Sequence, residues 1–437
     1  MSKTGKLNKR LLFILLSIFI ALPQYIYVVA GVNLSNFCLL IICIAFFFLY
    51  GKIYKFSIRK NIFWYWVFVL YLVLNTLITF DFLGGMTTLL TYMFIPVVII
   101  FIIRSKEDLF NFVDSIIFVA TIVGVFGLIE ILTSTNFFQQ LAPSYNFFIQ
   151  YRYGLLCIMG PFGQHIGYGL YVVFILSLIV YRVNTRSHNA LYYISYTILI
   201  INLIFSFSKT AWIFFIITHI YFLYKRGALK LLMFILVLVV ILPFAFLLMD
   251  AFGINSDLIK DLYHTFLQLF SGGEGEVSTS AGVGNRFDLF IWVAESMNGN
   301  WLFGNGAGAK FAYEVHSWQI KTSIENQYLN MLYQGGIICL ALMILCYISI
   351  IIKAYKNSKV KSLNKNEKYF SFSQMCFILF IGYAVVGFAT QETDMTRTFV
   401  VFVSLLISVS RLNSRVVGTQ KIHAAKKFGI KSDLVSI

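Results

Sequence analysis

Along most of this chain the hydrophobic positions do not alternate, nor do they return every three or four residues as on the face of a soluble helix. They run on without interruption for about the thickness of a bilayer. A membrane-crossing helix needs about 20 mostly apolar residues, roughly 17–25 in practice. Stretches of that kind lie near 11–30, 33–50, 61–80, 84–103, 110–133, 166–181, 190–207, 210–224, 231–249, 328–352, 370–390 and 398–410. The pattern predicts an all-α polytopic membrane protein of about 12 transmembrane helices, with both termini on one side. The shortest stretches, 210–224 and 398–410, are expected to be extended by their neighbours or to be partly re-entrant.

Most polar connections are short, but 134–165 and 250–327 are not. The chain therefore divides into spans one to nine with the first loop (1–249), a large external loop (250–327), spans ten to twelve (328–410) and a basic tail (411–437). The large loop holds ten of the 29 glycines. Within it, 256–270 places Leu258, Leu262, Phe266 and Leu269 at helical spacing, as on an amphipathic helix lying on a membrane. A second piece, 285–297, opens on the capping residue Asn285 with Asp288 three positions later, and offers Phe287, Ile291 and Ala294 on one face. A long ordered loop in a compact protein is more often functional than not.

Composition agrees with the pattern: 59% of the 437 residues are hydrophobic and only 12% charged, against about 25% charged in soluble domains. A soluble globular protein is excluded. The net charge of +16 would in a soluble chain point to nucleic acid. Sorted by loops, however, 27 of the 34 basic residues and only five of the 18 acidic ones fall on the side of the termini, leaving +22 there and −6 opposite. Lys and Arg concentrate in cytoplasmic loops, so this split predicts cytoplasmic N- and C-termini and no nucleic-acid partner. The basic start followed by an apolar run resembles a secretory signal, yet it continues into Gln24, Tyr25 and Tyr27 without a small-residue cleavage site, and is expected to remain as the first span. Of six cysteines only Cys157 lies near the outer face, so neither a disulfide framework nor a cysteine metal site is expected.

The charges that break the split carry the chemistry. Arg152, Lys209, Arg286 and Arg397 fall on the acidic side, where each needs a reason. Lys209 occupies a turn between two spans, and Arg286 opposes the dipole of the helix it opens. Each also has a plain explanation: Lys209 could snorkel to headgroups, and Arg397 could pair with Glu392 or Asp394. Together, four cations on one face form a candidate clamp for a phosphate or pyrophosphate.

A family resemblance rests on the same segments. Gly284-Asn285-Arg286, then Trp292, then Trp301-Leu302-Phe303-Gly304-Asn305-Gly306-Ala307-Gly308 resembles the "GR…W…PLLGxGxG" pattern of the bacterial O-antigen polymerase and ligase family. Glu325-Asn326-Gln327-Tyr328-Leu329, Leu332 and Gly335-Gly336 are similar to its "HNxYLxxLxxxGxxG" block, Ser208-Lys209-Thr210-Ala211 to its "SRGA" turn, and Arg152, Gly154 and Pro161-Phe162-Gly163 to its "RxxGxFxxP" segment. The matches run in family order across 150–340. This chain has Lys209 where arginine is usual and Glu325 where the ligase branch has histidine, and Glu325 points to the polymerase branch. Glu325 becomes the candidate general base, with His316 as its rival. Asn326, Tyr328 and His165 are candidate substrate contacts, His165 having a structural role as its alternative.

The resemblance implies a GT-C-like glycosyltransferase in the bacterial inner membrane, with its active site facing the periplasm. Its donor and acceptor would be undecaprenyl-pyrophosphate-linked oligosaccharides, joined into O-antigen or a related surface polysaccharide with inversion and without a cofactor. A separate chain-length regulator in the membrane is a compatible partner. Glu392 and Asp394 form the one compact external acidic pair, too little for a metal-dependent mechanism to be expected. Two alternatives stand beside polymerase: a ligase transferring glycan to lipid A core, and a flippase of lipid-linked sugars. Carriers usually carry internal repeats and a midplane site; no repeat is visible, and only Asp114 and Glu130 lie deep in spans.

Overall fold

The computed structural model describes residues 3–22, 27–29, 32–50, 63–79, 82–141, 150–152, 155–185, 189–227, 283–316, 319–321, 323–359, 367–390 and 396–427. The chain is mostly helical: α1 (Lys3–Ala21), α2 (Leu34–Tyr50), α3 (Phe63–Asn75), α4 (Phe82–Leu89), α5 (Ile95–Ile102), α6 (Lys106–Thr133), α7 (Phe137–Gln140), α8 (His165–Asn184), α9 (Ala190–Phe205), α10 (Lys209–Arg226), α11 (Val283–Ser296), α12 (Gln327–Ser358), α13 (Phe372–Val386) and α14 (Thr396–Lys427). Among the described residues three two-stranded antiparallel hairpins accompany them: β1 (Tyr27–Val29) with β2 (Val32–Asn33), β3 (Tyr151–Arg152) with β4 (Leu155–Leu156), and β5 (Tyr313–His316) with β6 (Gln319–Lys321).

Eleven of the twelve predicted apolar segments fall on these helices; 231–249 lies outside the described residues, as does the expected amphipathic helix 256–270. Among the described residues five helical segments are long and apolar enough to cross a membrane, and four more apolar helices are shorter. This is a multi-pass membrane protein. The two shortest predicted stretches are indeed extended, to Lys209–Arg226 and Thr396–Lys427. Two boundaries differ. The first helix ends at Ala21 rather than near 30, because Pro23 follows and cannot continue it. The helix expected to be capped at Asn285 already begins at Val283.

A proline also explains the π turn at Leu90–Phe94, between α4 and α5. Pro96 has no N–H for the carbonyl of Tyr92, four residues back, and the Tyr65 hydroxyl donates to that carbonyl instead, at 2.7 Å.

The central element is α8. Nearly all its residues are buried, against α6, α9, α10 and α13, as expected of a helix apolar all round. Polar links hold the bundle at its two ends. At one end Lys9 pairs with Asp108 at 2.5 Å. Arg182 binds Asp114 through two nitrogens at 2.6 and 2.9 Å, and Tyr192 donates to the same carboxylate. Tyr181 donates to Glu367 at 2.7 Å, and burial raises the pKa of Glu367. We call this the lysine end, after the basic residues around it. The other is the loop end, where α6 runs into the first long connection and α12 begins after the second.

Candidate functional site

The loop end is organised by a break in α12. Gly336 adopts φ 69° and ψ −171°, which only glycine takes readily, and the helix is interrupted there. An interrupted helix exposes backbone donors and acceptors that cannot be left bare inside a membrane. The glycine-rich segment 301–308 supplies partners. Asn305 and Gly306 amides donate to the carbonyls of Tyr333 and Gln334 at 2.9 and 2.8 Å, while the Ile337 and Ile338 amides donate to those of Trp301 and Leu302 at 2.8 and 3.4 Å. The two backbones approach so closely that a Cβ on Gly304 or on Gly336 would collide with the other strand of the seam.

One face of α3 and the turn after it complete the seam. Tyr71, Asn75 and Thr79, spaced four residues apart, donate to the carbonyls of Gly335, Phe303 and Ala307 at 2.7, 2.9 and 2.8 Å. These three residues lie outside every motif of the family pattern and were missed in the sequence. Polar residues recurring at i, i+4 and i+8 in an apolar segment were the available signal.

Beyond the seam sits a second, smaller core: Leu289 and Val293 of α11 and Met297 after it, with Phe311, Ile324, and Leu329 and Tyr333 of α12. Tyr313 ties the β5–β6 hairpin to α11 by stacking on Trp292 and donating to Glu295 at 2.5 Å. That hydrogen bond, above all, raises the Tyr313 pKa. This core positions Glu325. Ile324 before it is buried, Asn326 after it caps α12 by accepting from the Tyr328 and Leu329 amides, and the Gln327 amide donates to the Gly387 carbonyl at 2.8 Å. Glu325 itself is exposed, on backbone held from both sides.

Asn326 and Tyr328, expected as substrate contacts, therefore also carry the fold. The Tyr328 hydroxyl donates to the Ala384 carbonyl at 2.6 Å and its ring stacks on Phe388. Arg286 lies on α11, four residues into the helix, and His316 ends β5.

Lys209 opens α10, half-buried, directly after the capping hydroxyl of Ser208. A cation at a helix N-terminus gains nothing from the dipole. The turn before it is tight: Phe207 takes φ 47°, and Ser206 and Ser208 are buried. Arg152 lies on β3, whose hairpin leads into a segment pinned to the same region by Ile158, whose amide donates to the Phe205 carbonyl at 3.0 Å.

That segment has an anchor the sequence did not assign. The buried carboxylate of Glu130 accepts from the amides of Met159 and Gly160 at 3.2 and 3.0 Å and from Asn136 Nδ2 at 3.0 Å. It thereby holds the Pro161-Phe162-Gly163 turn and His165, the buried first residue of α8, against the end of α6.

Arg397 stands apart. Its guanidinium is buried against α1 and α2, donating to the Phe19 and Leu22 carbonyls at 3.2 and 2.7 Å and to the Ser35 hydroxyl at 2.9 Å, with the Phe19 ring beneath it. Arg152, Lys209, Arg286 and Glu325 thus come to one end of the bundle on four separate elements, while Arg397 serves a helix junction at that end.

The decisive comparison covers the centre of this arrangement. Residues 194–344 match the Wzy_C family, described as O-antigen ligase. The resemblance to the O-antigen polymerase and ligase family stands. The matched stretch begins in α9, includes Lys209, Arg286 and Glu325, and ends beyond the break in α12. No curated protein matches the chain.

Proposed function

We propose that this protein is a glycosyltransferase of GT-C-like architecture that polymerises lipid-linked oligosaccharide repeats at the outer face of the bacterial inner membrane. The observation that carries it is the course of the matched stretch, which runs from the Lys209 turn through Arg286 and the glycine seam to Glu325. Glu325 in place of the ligase branch's histidine favours polymerase.

In this reading an undecaprenyl-pyrophosphate-linked chain is the donor and a second lipid-linked repeat the acceptor. The acceptor hydroxyl attacks the anomeric carbon, the bond from that carbon to the pyrophosphate oxygen breaks, and lipid pyrophosphate leaves with the electron pair. Glu325 takes the hydroxyl proton. A single displacement inverts the anomeric centre, and no metal is invoked. Arg152, Lys209 and Arg286 meet the charge developing on the pyrophosphate, the electrostatic form of catalysis. Arg397 is left out of the clamp because its donors already serve α1 and α2. Polymerase action is compatible with a separate chain-length regulator.

The family's description as O-antigen ligase favours a second reading, transfer to lipid A core. Purified protein given lipid-linked repeats separates the two. Ladders of increasing length mean polymerase, transfer to added lipid A core means ligase, and no new glycosidic bond in either assay overturns both. Glu325→Ala and Arg286→Ala are each expected to lower the rate at least 100-fold with expression unchanged; ladders of wild-type yield from either would remove that residue from the site.

A further inference from the structure

The tip of the large loop is apolar and exposed. Trp301, Leu302 and Phe303 are 40%, 60% and 56% exposed, and Ile337, whose amide holds the tip, is 49% exposed. Three large apolar side chains in a row, bare at the end of a loop, are unfavourable in water.

Their backbone behaves differently from that of a loop in water. The carbonyls of all three accept hydrogen bonds from within the protein: Trp301 from the Ile337 amide, Leu302 from the Ile338 amide and Phe303 from Asn75. The next three amides are also used, Gly304 on the Asn300 carbonyl and Asn305 and Gly306 on α12. Asn300 Nδ2 donates to Asn305 Oδ1 at 3.1 Å, closing the base of the tip. Carbonyls satisfied within the protein meet one part of the condition for non-helical backbone at membrane depth.

Depth can be gauged along α12. Lys353, the first cation toward the lysine end, lies seventeen residues on from Gly336. At 1.5 Å per residue that is about 25 Å, against a hydrocarbon core about 30 Å thick. With Lys353 at the edge of the hydrocarbon, the break and the tip bonded to it lie inside the leaflet at the loop end, where α12 also exposes Ile337 and Ile344.

We propose that residues 301–303 are a re-entrant membrane element, inserting Trp301, Leu302 and Phe303 among the acyl chains of that leaflet. The large external loop is then anchored in lipid as well as to α3 and α12, which fixes the height of Glu325 above the bilayer. The inference requires only that α12 crosses the membrane, and holds for either glycan transfer.

Spin labels at L302C, F303C, I337C and K310C, in full-length protein in phosphatidylethanolamine–phosphatidylglycerol vesicles, test it. Labelled wild type sets the background from the native cysteines. Lys310 is exposed beyond the seam and serves as the water reference. Labels at L302C and F303C should collide with dissolved oxygen at least three times as often as with a water-soluble nickel chelate, as at I337C, with the order reversed at K310C. An oxygen-to-nickel ratio of one or less at both tip positions overturns the proposal. The tip side chains are exposed, so neither substitution removes packing, and doxyl-lipid quenching of a fluorophore at L302C gives a second reading of depth.

Discussion

The four cations of the loop end look alike in sequence and differ in what surrounds them. Arg397 lies against the end of α1, where carbonyls left over from the helix need donors, and a cation there is favoured by the dipole. Nothing near it in the chain reveals this, because its partners lie more than 360 residues away. Arg397→Met is therefore expected to cost about 3 kcal/mol of stability, the scale of charged hydrogen bonds lost in a buried site, with the rate per folded molecule nearly unchanged. Arg286→Ala should do the reverse, leaving the melting temperature within about 2 °C while transfer fails. Thermal denaturation in detergent beside a ladder assay distinguishes them; a folded, inactive Arg397→Met protein would return that arginine to the anion clamp. Glu130 teaches the same lesson. An acid within a span could be read from the sequence, but its role as the acceptor for two amides and an asparagine of a distant turn depends on tertiary contact.

Among the elements, the long apolar runs were legible because a span's length and composition are set by the bilayer rather than by its neighbours. The break in α12 was only half legible. Its glycine pair and the glycine loop both stood out as family motifs, yet no periodicity shows that they face one another or that α3 closes the seam. That complementarity makes a prediction. Gly336→Ala would force a side chain into left-handed backbone and against the Leu302 carbonyl, so the loop must leave the helix. Gly304→Ala blocks the same seam from its other side. Each should raise the rate of limited proteolysis within 300–325 at least tenfold, and the double variant should be little worse than either single one, since both abolish one interaction. Additive effects would mean the two glycines act separately.

At the scale of the whole molecule, the charge split and the architecture give one answer about the ends. The ion pairs Lys9–Asp108 and Arg182–Asp114 sit at the end where basic residues accumulate, and the candidate site sits at the other. A basic end is commonly retained in the cytoplasm, so the proposed function predicts a site that faces outward, on the side where a pyrophosphate-linked glycan would be extended. Lys310 at the loop end and Lys359 at the lysine end are both exposed and report on this directly. In spheroplasts, K310C should react with a membrane-impermeant maleimide, whereas K359C should react only after the membrane is opened. Labelling of K359C in intact spheroplasts, with K310C protected, would reverse the protein in the membrane. It would turn Glu325 and the cations around it toward the cytoplasm, and polymerisation at the outer face would then be untenable whatever the chemistry of the site.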